Sequence, residues 1–349
     1  MADAVRSIFD VVVSNEIAAM WNMNAKDRAP YLGETIFPNK KKLGLDLKWI
    51  KGSKGIPVVL DPSAFDVPAK LGTRIKFDTL VAEMPFFKKA QSVSEALRQE
   101  LNRVIETGNR AYIDSVSEMI FNDQMSLMEG AAAQRERLRM MALTTGVIAI
   151  EANGQSFSLD YRIPSTHKAT AGTSWATSTT DILGDIIKWQ STIEDDTGVK
   201  PTRAVCNRKT FSYIQANDNI RKGIYVLSNG TGLVTEQVVK DYIFNATGVD
   251  IAIYTKKYID EAGAVKSYVP DDTFVLFPEG ELGSTWFGTT PEESDLQSFS
   301  AANVTIVDTG VAITTIKKAD PVNVETKVSM ICLPSFEGAD KVFIADVTP

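Results

Sequence analysis

Two periodicities divide the chain, and they meet at Gly146. Ile113, Val116, Ile120, Leu127, Ala131, Leu138 and Met141 recur in steps of three, four and seven, forming one stripe of a long amphipathic helix. At a rise of about 1.5 Å per residue, that helix is a rod of about 45 Å. Asp114, Glu118, Asp123, Arg135, Glu136 and Arg139 lie off the stripe and read as its solvated side. After Gly146 the period drops to two. Residues 147–152 and 155–160 alternate around Asn153-Gly154, a favoured two-residue hairpin turn. A rod running directly into a hairpin is a building part rather than a pocket.

Other segments follow from similar signals. Ser94 with Glu95 supplies a helix start and Thr107-Gly108-Asn109 a break, so residues 92–142 read mostly as helix. Leu43–Ile50 alternates, Gly52, Gly55 and Pro57 interrupt, and Thr73–Leu80 returns, which makes 40–88 a long hairpin. Such a ribbon is marginal alone and needs a partner surface. Residues 1–39 mix a short helical pattern at Ile8, Val11 and Val12 with coil around Pro30 and Pro38. They carry too little apolar content to fold alone and are expected as an arm that packs on something else.

Residues 165–180 are rich in Ser, Thr, Ala and Gly and read as a linker. Asp181 then caps a helix ending at Thr197-Gly198. Strands at 201–206, 250–254 and 273–277 and helices at 208–215 and 236–244 suggest a compact mixed unit over 181–310. Val311–Ile316 and Val322–Cys332 alternate strongly, so 311–349 is expected to return as strands beside the 147–163 hairpin. The class is α+β, with 89–164 holding the rod and its hairpin.

Composition narrows the function. The 349 residues carry a formal net charge of −7, which argues against a protein that grips nucleic acid by its phosphates. It leaves room for one that encloses nucleic acid behind a mildly acidic wall. Lys40, Lys41, Lys42, Lys48, Lys51 and Lys54 concentrate positive charge on the first part of the long hairpin. As a solvated edge they block uncontrolled strand pairing. In an assembly the same charges meet an acidic neighbour. We therefore take Lys48, Lys51 and Lys54 as self-assembly contacts, with Glu292-Glu293 or the Asp114/Glu118 side of the rod as their counterparts.

Catalytic chemistry is hard to build from this chain. His167 is the single histidine and lies in a polar, small-residue stretch, so it is expected in a solvated loop. Cys206 and Cys332 lack metal-ligand spacing and read as buried small hydrophobes. Phosphate-loop, zinc-protease and nucleophile-elbow motifs are missing. Glu194-Asp195-Asp196 reads as a charged helix end rather than a cation site. We assign no catalytic, cofactor-binding or metal residue. No membrane-length apolar run or secretory pattern is present, so synthesis in a cytoplasm is expected.

Several segments, in order, carry a resemblance. They are Glu83-Met-Pro-Phe86, Ala142-Leu-Thr-Thr-Gly146, Asp160-Tyr-Arg-Ile-Pro164, the helix from Asp181 to Gly198 with Pro201, and Asn245-Ala-Thr-Gly248 before Ile251–Tyr254. Gly283-Ser-Thr-Trp-Phe-Gly288 with Thr290-Pro-Glu-Glu293, and the tail from Leu333-Pro334 to Ile344, complete the set. Together these resemble the phage lambda-type major capsid proteins. The resemblance implies a Hong Kong 97-type capsid fold. Its parts would be an N-terminal arm (1–39), an extended loop (40–88), a spine helix with peripheral-domain hairpin (89–164), a linker (165–180), an axial domain (181–310) and returning peripheral strands (311–349). It implies a major head subunit of a tailed phage, in hexamers and pentamers of an icosahedral shell around double-stranded DNA held without sequence-specific binding. Implied partners are the chain itself, a separate scaffolding protein, a portal protein and, as an option, a decoration protein. Arm and long hairpin would each lie over neighbouring subunits, in the virion capsid. A nanocompartment shell on the same fold, a tail-tube protein, and an enzyme with an unrecognised carboxylate site are the rival readings.

Overall fold

The structure, a computed structural model, describes residues 7–24, 28–51, 78–152, 154–227, 234–296, 302–320 and 322–348. Its axis is the spine helix, Arg110–Thr145, whose 36 residues span about 54 Å. Asn109 caps its start by accepting from Ala111 N at 3.1 Å. A shorter helix, Glu95–Thr107, precedes it, capped by Ser94 and closed by left-handed Gly108. The spine ends on Gly146 at φ +73°, where a Cβ would come 2.6 Å from Ile163 Cδ1, so only glycine fits. The hairpin Val147–Ala152/Gln155–Asp160 follows at once.

A six-stranded sheet packs against the spine. Its centre is the long strand Val322–Ser335, which pairs Val311–Ala319 on one side and Phe86–Ser92 and Ser284–Phe287 on the other. Ala302–Val307 closes one edge, and Asn39–Lys41 joins Ser284–Phe287 in parallel at the other. Ile313, Val324, Val328 and Met330 share a buried cluster with Ile120, Leu127, Met128 and Leu138 of the spine.

A five-stranded sheet carries a second core. Its order is Lys168–Thr170, Phe343–Asp346, Thr273–Phe277, Arg203–Cys206, Asp250–Ile253. The helices Ile182–Thr197, Arg208–Ala216 and Glu236–Thr247 cover it with Ile186, Trp189, Phe211, Ile214, Val239 and Ile243.

Several expectations are corrected by tertiary pairing. The described part of the arm does not stand off: Ile8, Val11, Ile17, Trp21, Ile36 and Phe37 are buried in the first core of their own chain. Phe86–Ser92 is a strand rather than the end of the long hairpin, because the long strand beside it supplies the missing hydrogen-bond partner. The long strand does not pair with the 147–160 hairpin, which forms its own two-stranded ribbon. Phe343–Asp346 leaves the returning strands for the second sheet, and Ser284–Phe287 and Ala302–Val307 lie in the first. Residues 165–180 are packed, not loose. Lys168–Thr170 is a sheet edge, and Trp175 is buried in a stack with Trp189.

Candidate assembly surfaces and the junction that positions them

The base of the long hairpin, Asp46–Lys51 paired with Asp78–Glu83, has two unlike faces. Leu47, Trp49 and Leu80 turn inward, where Trp49 packs on Tyr161 with ring centroids 5.8 Å apart. Tyr161 is fixed in turn by donating to Pro334 O at 2.5 Å, and its burial pushes the phenol pKa well up. Lys48 and Val81 sit opposite each other on the outer face, with Val81 56% exposed. Leu43 and Leu45 extend this apolar and basic patch along the preceding turn. The ribbon is thus anchored on one side and bare on the other.

The proposed contact residues are placed unevenly. Lys48 is exposed. Lys51 lies in the strand, while Lys54 falls outside the described residues, as do Gly52, Gly55, Pro57 and the return strand from Thr73 to Phe77. Glu292 is buried and pairs with Lys327 of its own chain at 2.7 Å, which holds its carboxyl below the ordinary range against the opposing effect of burial. Glu293 pairs with Lys41 at 2.6 Å, and Lys42 donates to Asp46 O at 3.0 Å. The lysine cluster is therefore partly spent within the subunit.

A buried polar junction fixes these surfaces relative to the spine. Glu136 accepts from Gly33 N at 3.0 Å and from the Tyr254 phenol at 2.7 Å, and lies 3.7 Å from the Arg139 guanidinium. Burial raises its pKa, and these donors oppose that shift. Arg139 donates to Thr285 Oγ1 at 2.9 Å and to Asn39 Oδ1 at 2.5 Å. Arg135 reaches Asp308 at 2.8 Å, and Trp21 Nε1 donates to the same carboxylate at 3.0 Å. Lys256 closes the arm's entry by donating to Ala29 O and Pro30 O. Arm, spine, both sheets and the Asp308 turn are tied at one place.

The sequence pattern sets Arg135, Glu136 and Arg139 on a solvated side, yet all three are almost fully buried. A signal of this existed. Leu138, Met140, Met141, Ala142 and Leu143 make the helix end apolar all round, which marks a fully enclosed segment. His167 is likewise corrected: it is 1% exposed, lies 3.0 Å from Asp196 and stacks on Phe343. Its polar sequence neighbours are misleading, because the ring fills space at the end of the helix Ile182–Thr197.

The site's chemistry is that of packing. Both cysteines are buried, and burial pushes each thiol up to about 12. Among the described residues, no cluster of His, Cys, Asp or Glu has metal-binding form, and no helix is long and apolar enough to cross a membrane. A cleft of about 360 Å³ is lined by Lys40, Glu279, Glu281, Glu337 and Lys341 beside Gly283 and Gly338.

Comparison with known proteins gives the context. A family model described as phage major capsid protein E matches residues 14–347. The structure is similar to the candidate capsid protein of a prophage from E. coli CFT073, at 15% identity and a TM-score of 0.60, covering 97% of this chain and 99% of that one. It is also similar to a phage-related protein from Bordetella bronchiseptica RB50, at 13% identity and a TM-score of 0.54, covering 96% and 97%. At such identities the likeness shows a shared fold. None of the curated proteins compared matches the chain.

Proposed function

The chain belongs to the phage major capsid protein E family and is a structural capsid subunit, not an enzyme; from that premise we propose how it assembles. Its fold is the Hong Kong 97-type capsid fold. Copies form hexamers and pentamers of a closed icosahedral shell around packaged double-stranded DNA, which the acidic chain encloses without gripping. The spine, its hairpin and the six-stranded sheet act as the peripheral domain. The five-stranded unit acts as the axial domain. Assembly takes place in the host cytoplasm with a separate scaffolding protein, a portal protein and, as an option, a decoration protein.

The family match over 14–347 carries this reading, because it spans arm, spine and both sheets rather than one motif. The half-bare long hairpin supports it, since a ribbon with exposed Val81 and Lys48 gains stability when a neighbour covers it. Lys48, Lys51 and Lys54 act in that contact. The test is to purify the particles formed in phage-infected cells and release their contents by heating. Nuclease-protected double-stranded DNA supports the proposal. Particles holding only protein cargo would overturn it in favour of a nanocompartment.

A further inference from the structure

The six-stranded sheet leaves one strand paired on a single side. Phe86–Ser92 bonds to the long strand, with Phe86 opposite Ile331 at one end and Ser92 opposite Glu325 at the other. Among the described residues, no strand lies along its other side. Every residue of it is exposed or half-buried. Antiparallel pairing uses the main-chain groups of alternate residues on each side of a strand. The remaining N–H and C=O groups of Phe86–Ser92 therefore face outward in a row, which is a template for one more strand.

The side chains of this edge select what can be added. Folds blunt an open edge by extreme shortness, proline or a bulge. This one runs seven residues with neither proline nor glycine. Lys88 and Lys89 are both exposed, and as neighbours in a strand they lie on opposite faces of the sheet. Neither has an ion-pair partner among the described residues. Glu325, on the neighbouring long strand, is already held by Lys318. Lys88 leans over Phe86, its Nζ 5.6 Å from the ring centroid, and Phe86 itself is 41% exposed. The strand carries no acid, so pairing with its own copy would gather lysines from both chains with no carboxylate between them.

We propose that the open edge of Phe86–Ser92 receives an extended acidic segment of a different protein, added as an antiparallel strand. The complementary segment has two adjacent carboxylates, one on each face for Lys88 and Lys89. Two apolar residues follow them and cover Phe86 and Phe87. Main-chain bonds to the edge supply affinity, and the carboxylates fix register and exclude basic or neutral strands. The partner needs no fold of its own at this point, because the sheet supplies the template. The inference goes beyond shell formation: it gives each subunit a place to hold a second protein by its main chain.

The test uses unassembled full-length subunits and the labelled peptide Thr-Thr-Ala-Glu-Glu-Val-Val. Fluorescence anisotropy reads its affinity, and hydrogen exchange reads protection of Phe86–Ser92. The peptide should bind and slow exchange across that strand. A peptide with Lys in place of both Glu, and the Glu peptide with every main-chain nitrogen methylated, should each bind about ten-fold more weakly. Lys88→Glu with Lys89→Glu should reverse the preference between the Glu and Lys peptides, a gain that a misfolded variant would not show. The proposal is overturned if the parent binds no peptide, if binding leaves exchange over Phe86–Ser92 unchanged, or if the methylated peptide binds equally well. Protection that appears without peptide and grows with subunit concentration would assign the edge to a second copy, and also overturns it. All of these outcomes leave the shell reading to be decided by the particles themselves.

Discussion

The Tyr254 phenol donates to the buried Glu136 carboxylate at 2.7 Å, joining the second sheet's unit to the spine at the point where the arm also arrives. This bond bridges 118 residues of sequence. It links the two halves of the subunit through a charge that water does not reach, so its loss is felt by both.

Tyr254→Phe should lower subunit stability by about 1–3 kcal/mol, because Glu136 keeps its burial and loses a donor. The pH dependence has a definite sign. Glu136's folded pKa is raised by burial, so its contribution is full below the ordinary carboxylate range and is lost as pH rises through the raised value. Removing the phenol raises that value further. Urea unfolding of unassembled subunits across a pH series should show the loss extending to higher pH in the variant. An unchanged profile would mean that Tyr254 does not hold the carboxylate.

Gly33→Ala tests how tightly the arm is seated. A Cβ there would lie 2.5 Å from Glu136 Oε2 and 2.8 Å from Arg139 Cδ. Overpacking of this kind costs about 1–3 kcal/mol. The arm should become the first site of limited proteolysis, whereas it resists in the parent. Equal resistance in both would argue that the arm is bound elsewhere.

His167→Ala should destabilise the subunit by about 2–3 kcal/mol, since it empties a buried ring site against Phe343 and takes a partner from Asp196. Thermal unfolding measures it. A shift within error would restore the solvated-loop expectation.

Asp308→Ala should cost about 3 kcal/mol, because it strands the buried Arg135 guanidinium and Trp21 Nε1 together. Thr309→Gly in the same turn should instead stabilise by about 1 kcal/mol, as Thr309 sits at φ +76° with a branched side chain. Asp308 itself sits at φ +46°, so Asp308→Asn, which keeps a side chain that tolerates this backbone and removes the charge, separates loss of the ion pair from backbone strain in the same unfolding series.

What the sequence revealed was local. Caps and stops at Ser94, Gly108, Asn109, Asp181 and Gly198 act within one helical turn, and each falls where its residue type places it. The hairpin after Gly146 was equally legible, since its register follows from a two-residue turn. What stayed hidden depends on partners far along the chain. Phe86–Ser92 lacks alternation and becomes a strand only beside the long strand, more than 230 residues away. Asn39–Lys41 becomes one only beside Ser284–Phe287. Arg135, Glu136 and Arg139 are charged by type and buried by context, where Gly33, Tyr254, Asn39, Thr285 and Asp308 supply part of the hydrogen bonding that water would otherwise provide. Of the residues proposed for assembly contact, Lys48 stands out by its charge and is exposed, while Glu292 and Glu293 are engaged by Lys327 and Lys41 of their own chain, pairings that depend on distant segments.

The central claim is that this chain is the repeating unit of a closed shell, and electron microscopy of particles purified from producing cells tests it most directly. The account predicts closed icosahedral particles whose surface resolves into five- and six-membered rings of this chain, with each long hairpin lying on a neighbouring copy. Open tubes, or a stable monomer that never forms particles even in the presence of the phage's other head proteins, would contradict it.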